Sequence, residues 1–211
     1  MNAIPYLLVM FLSVGVTGYA VFAYGFLPLG SVVHPDMRVT FEANRLAIYT
    51  HIFASAVALL LGPFQFSNRL RLTRPQLHRL MGRLYLGLGV LIGGISGLFM
   101  ASIAFGGFVA KLGFAGMALA WLYTGLRAYV AIRRRDLNAH RRWMLRNFAV
   151  TFAGVTFRIW LGASFATGIA FEVSYPVVAW ISWVPNLLLT EFALSRSRNT
   201  ASPQARARSD A

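Results

Sequence analysis

Six long apolar segments leave this chain one kind of fold. They cover about residues 5–29, 45–66, 81–105, 110–132, 147–168 and 173–192, and charged side chains are sparse in all of them. A helix crosses about 30 Å of hydrocarbon with roughly 20 residues. In lipid each backbone polar group must be satisfied within the segment or within a closed barrel, so segments of this length imply helices. The expected fold is all-α: a polytopic membrane bundle of six transmembrane helices in one domain, residues 1–192. Residues 193–211 are rich in Arg, Ser and Ala without apolar periodicity and read as a disordered basic tail.

Only 12% of residues are charged, yet the formal net charge is +14. Its distribution explains it. Arg69, Arg71, Arg74, Arg79 and Arg83 lie between segments two and three or in the first turn of segment three. Arg133, Arg134, Arg135, Arg141, Arg142 and Arg146 lie between segments four and five, and Arg196, Arg198, Arg206 and Arg208 lie in the tail. The other side of a six-span chain holds Arg38, Arg45 and Lys111. This is the positive-inside pattern, and it predicts both termini in the cytoplasm of a bacterial inner membrane. The partners it implies are anionic lipid headgroups; nucleic acid would require a solvated basic face or groove. The chain has no cysteine, which excludes disulfides, thiolate-ligated haem and Cys-bound clusters. The first segment lacks a basic leader and exceeds a signal-peptide core, so it is expected to stay as a helix.

A weak repeat divides the second part of the chain. "LHRLMGRLY" (residues 77–85) recurs as "AHRRWMLRNF" (139–148), with His140 sixty-two residues after His78. Each copy opens a hairpin of two apolar segments. Met81 follows its histidine by three residues and Met144 by four, and both spacings fall on one helix face. Parallel repeats of this kind surround central sites in some membrane proteins. Gly89, Gly93 and Gly97 form overlapping GxxxG units, which admit close approach of another helix or of a flat ligand. Pro176, Pro185 and Asn186 predict a kink in the sixth segment.

The histidines and one arginine are the candidates for chemistry. His78 and His140 stand at the arginine-rich edge, opening helices that run in the same direction. One reading makes them axial ligands of haem b, with Arg79, Arg83, Arg141 and Arg146 on the propionates. The other makes them polar residues at headgroup level. His34 reads as a loop residue. His51 and Arg158 lie inside apolar segments, where an ionisable group is expensive and marks a functional site. They are expected to share a polar pocket toward the opposite side, with Glu42, Glu172 or Asn186 beside Arg158. The sequence has no HExxH, Walker loop or carboxylate-rich metal cluster.

"HIFASAVALLLGPFQF", "LHRLMGRLYLGLG" and "HRRWMLRNFAVTFAGVTFRIWL" together resemble the bacterial integral-membrane family catalogued as domain of unknown function 2306. The resemblance spans roughly residues 45–190. It implies a multi-span membrane protein whose motif residues are His51, His78, Arg79, Gly82, Arg83, His140, Arg141, Trp143, Met144, Arg146 and Arg158. The layout is more distantly similar to cytochrome b561-type bundles, although the four histidines do not each stand inside a separate helix. Two functions follow as expectations. One is a haem b module passing electrons between a quinone and a redox partner protein. The other is a non-redox membrane protein, a carrier for a small anion or an assembly partner, with His51 and Arg158 as its ligand site.

Overall fold

The computed structural model describes residues 3–199, and its regular elements among those residues are all helical. Six of the helices are long and apolar enough to cross a membrane: Ile4–Gly25, Arg45–Gln65, Pro75–Ser102, Gly107–Arg133, Leu137–Ala166 and Phe171–Ser197, spans one to six in order. The protein is therefore an integral membrane protein built as a six-helix bundle. Gly106 and Gly107, at φ 85° and 71°, make the turn between spans three and four in a backbone region that other residues seldom adopt.

Spans three and five begin well before the apolar runs at 81 and 147. Hydropathy marks the hydrocarbon crossing, whereas the helix stops where its cap lies. Pro75 occupies the first turn of span three, where its missing N–H costs nothing. Asp136 caps span five by accepting from the Ala139 N–H at 2.8 Å. His78 and His140 are consequently inside helices, on polar turns that extend beyond the apolar core. The last helix runs to Asn199, past the expected tail start at Ala193, and residues 200–211 lie outside the described residues.

The glycine ridge of span three packs on span two. A Cβ on Gly89 would lie 2.7 Å from Ala58 Cβ; one on Gly93 would meet Ser55 and Trp121, and one on Gly97 would meet His51. Ala58, Ser55 and His51 form one stripe at helical spacing, so the ridge serves close helix packing, while Gly93 and Gly97 also border the interior cavity. The same span is π-helical over Leu84–Ile92, a rare geometry that recurs near functional sites.

Spans five and six are both broken midway. Span five divides at Phe152 into Leu137–Thr151 and Ala153–Ala166, and span six divides between Ile181 and Val184, where the kink was expected. Asn186 staples the two breaks together. Its Nδ2 donates to the Ser182 carbonyl at 3.0 Å and to the Ala149 carbonyl and Thr156 Oγ1, each at 3.1 Å. The break in span five shapes the interior. Leu137–Thr151 packs along span four, but Ala153–Ala166 packs instead against spans one and six, and it is Phe171–Ile181 of span six that covers span four at that level. The bundle is tight at its arginine-rich end and opens toward the other.

At the tight end, five polar side chains close a buried network. Tyr85 Oη donates to Asn147 Oδ1 at 2.7 Å and pairs with Thr151 Oγ1 at 2.8 Å. Trp121 Nε1 donates to Thr151 Oγ1 at 2.8 Å, and Asn147 Nδ2 donates to the Trp121 carbonyl and Thr124 Oγ1. Tyr85 and Asn147 are sixty-two residues apart, the same offset as His78 and His140. Repeat-related positions thus touch each other, which puts the repeat axis between spans three and five. Interhelical hydrogen bonds in lipid stabilise by about 0.6 kcal/mol each on average, so this cluster locks three helices through number.

Candidate functional site

The divergence of span five leaves a cavity of about 1370 Å³. It extends from His34 and Asp36 in the loop after span one down to Trp121 and Thr151, so the buried network forms its floor. All six spans contribute to its wall, which is mainly aliphatic and aromatic. Among its polar lining residues, His51, Arg158, Tyr19 and Tyr24 lie within electrostatic or ring-contact reach of one another. Apart from Asp36 at the mouth, no carboxylate among the described residues lines it.

His51 is held by the glycine ridge. Its Nδ1 lies 2.8 Å from the Gly93 carbonyl oxygen. A carbonyl only accepts, so Nδ1 carries the proton and Nε2 is the nitrogen left for the cavity. Gly97 supplies the space for the ring, since a Cβ there would lie 3.1–3.2 Å from His51 Cε1 and Nδ1. Gly97→Val is expected to displace the ring and break the bond to Gly93. The ¹⁵N shifts of His51 in histidine-labelled protein check this: they should move from a fixed Nδ1–H tautomer to a mixture, and an unchanged spectrum would refute the role given to Gly97.

Arg158 lies within electrostatic reach of His51, and both line the same cavity. Its Nη1 donates to the Gly154 carbonyl at 2.7 Å, and its guanidinium carbon sits 5.5 Å from the Tyr19 ring centroid, inside cation–π range. Among the described residues it forms no ion pair with a carboxylate. The expected partners are elsewhere. Glu42 is exposed, Glu172 is gathered with His34 and Asp36, and Asn186 is committed to the span five and six breaks. Arg158 is therefore a half-buried cation that lines the cavity without a carboxylate partner among the described residues.

The residues named for haem are arranged differently. His78 and His140 lie within electrostatic reach of each other. His140 Nδ1 donates to the Ala128 carbonyl at 2.9 Å, while His78 Nδ1 is buried without a partner. Neither lines the large cavity, nor the smaller one of about 240 Å³ bounded by Arg142, Trp143, Arg146 and Glu191. Arg146 is engaged twice by Glu191, with Nη2 to Oε2 at 2.8 Å, and stacks on Trp143. Arg79, Arg83 and Arg141 are exposed. Two turns beyond the histidines, spans three and five already meet through Tyr85 and Asn147. Of the residues named for haem, His140 Nδ1 and Arg146 are thus already engaged, and the closed contact between spans three and five lies two turns further along.

The sequence profile of a family described as "predicted membrane protein (DUF2306)" matches residues 48–194, more than two thirds of the chain. No curated protein and no solved structure matches the chain at significance. The chain belongs to the DUF2306 family of membrane proteins.

Proposed function

We propose that this member of the DUF2306 family binds a lipid-like amphiphile with an acidic head group and acts as a non-redox carrier or receptor for it. Arg158 carries the reading: a cation without a carboxylate partner among the described residues, lining a cavity that is otherwise mainly apolar. An isolated buried charge is costly unless paired, and here an anionic ligand would do the pairing. The volume decides what kind. Pockets for drug-sized ligands measure about 300–1,000 Å³, so about 1370 Å³ is far more than a small anion needs and suits a long apolar body behind the head. His51 Nε2 and the Tyr19 and Tyr24 hydroxyls would complete the head-group site. The arginine-rich end would face the cytoplasm, by the charge asymmetry, and the cavity mouth the other side.

Protein purified in mild detergent and examined by native mass spectrometry, with extraction of the bound material, tests the reading. About one acidic amphiphile per chain is expected. A folded protein that retains none, and takes up neither a long-chain carboxylate nor a phospholipid, would overturn it.

The haem b reading of His78 and His140 has its own test. The purified protein from haem-replete cells is expected to lack a Soret band. A band that disappears in both His78→Ala and His140→Ala would reinstate an electron-transfer role.

A further inference from the structure

At the cavity mouth, two of the chain's six acidic residues meet a histidine. His34 and Asp36 come from the loop after span one, and Glu172 comes from the first turn of the helix Phe171–Ile181. The His34 ring stacks on Phe171, with centroids 4.2 Å apart and planes within 4°, and this contact delivers the neighbouring Glu172. One ligand-type atom from each of the three lies within 4.8 Å of the others.

Two carboxylate groups held this close favour a cation between them, and within the cluster only His34, when protonated, could supply positive charge. The chain is rich in arginine, yet among the described residues neither Asp36 nor Glu172 forms an ion pair with Lys or Arg. His34 does not resolve the conflict by hydrogen bonding. Its Nδ1 has no hydrogen-bond partner among the described residues and no solvent access, and stands 3.6 Å from Asp36 Oδ2. That gap is too long for a hydrogen bond. It is close to the roughly 3.4 Å edge of a tetrahedron with metal–ligand bonds of about 2.0–2.1 Å.

We propose that His34, Asp36 and Glu172 bind one divalent metal ion, of the zinc type, at the mouth of the cavity. One imidazole and two carboxylates form a mixed nitrogen and oxygen set suited to Zn²⁺. Glu172, exposed at the first turn of its helix, would supply the third ligand. Three protein ligands leave a coordination position open, as in sites that take a water or a ligand oxygen. The ion would also tie the loop after span one to the start of span six.

Isothermal titration of the tag-free, chelator-stripped full chain with zinc chloride tests the site, with manganese and magnesium chlorides for comparison. One saturable zinc site per chain is expected. Glu172→Gln and His34→Ala should each weaken it at least ~100-fold, the upper end of what even outer-shell changes cost. Glu42→Gln, an exposed carboxylate outside the triad, should leave it unchanged, as should Arg158→Leu, so this site and the cavity ligand are read separately. Glu172→Gln is isosteric at an exposed position, so it decides the matter even where His34→Ala folds poorly. Absence of a saturable zinc site, or zinc binding that survives Glu172→Gln, overturns the proposal.

Discussion

Arg158→Leu is expected to lower affinity for an acidic amphiphile by about 100-fold or more while the bundle stays folded. Truncating one partner of a buried charge pair costs about 2–5 kcal/mol, and each 1.4 kcal/mol is tenfold in affinity. Folding should survive because Arg158 makes few protein contacts that leucine would orphan. Its hydrogen bond goes to a helix carbonyl one turn back, and its ring contact is with Tyr19 at the cavity wall. Removing an unpaired cation from a low-dielectric site also removes its desolvation cost, and leucine leaves no buried charge in its place. Arg158→Lys keeps the charge but loses the planar fork, so an intermediate loss of about tenfold is expected. Binding of a fluorescent long-chain carboxylate, measured beside its methyl ester, separates charge from shape. The ester should bind wild type and Arg158→Leu alike. Equal loss for acid and ester, or loss that tracks the amount of folded protein, would make Arg158 a structural lock.

His51 and Arg158 were legible in the sequence because a charge inside an apolar run has no inexpensive explanation. The partners expected for Arg158 were not, because one-dimensional depth does not say which way a helix end turns. Glu172 lies at the right level but faces His34, through a stacking contact between residues 137 positions apart. The metal-ligand triad was hidden for the same reason: two of its members look like ordinary loop residues, and the third starts another helix.

The repeat held more information than the histidines alone. Extending the sixty-two-residue offset by two helical turns leads from His78 and His140 to Tyr85 and Asn147, which meet at 2.7 Å. Uncharged polar residues in an apolar segment leave little trace in hydropathy, so the network passes unnoticed until the offset is followed. The cavity itself has no linear signature. It exists because span five breaks at Phe152, two residues before Gly154 and without a proline, and because Asn186 holds the break against span six.

Gly89→Leu is expected to abolish the folded bundle, whereas Gly87→Leu, two residues away, should be nearly silent. At Gly89 a Cβ would lie 2.7 Å from Ala58 Cβ and 3.0 Å from both the Cα and the N of Ala58. Those are backbone atoms of a neighbouring helix and cannot rotate away. Leucine adds three more carbons at the tightest point of the span two and span three contact. Overpacking by single methylenes already costs about 1–3 kcal/mol, and total stabilities are of order 5–15 kcal/mol. Relief would require spans two and three to separate, and the glycine ridge aligns Ser55 and His51 by that same contact, so the Nδ1 bond from His51 to the Gly93 carbonyl would go with it. Gly87 faces open space, with nothing within 4 Å of where a Cβ would stand, and a leucine there adds only lipid-facing surface. Its effect should stay within about 0.5 kcal/mol. Thermal unfolding in detergent, with the monodisperse fraction after size-exclusion chromatography, measures both. If Gly89→Leu melts within a few degrees of wild type, spans two and three do not meet at this glycine, and the placement of His51 against span three fails with it.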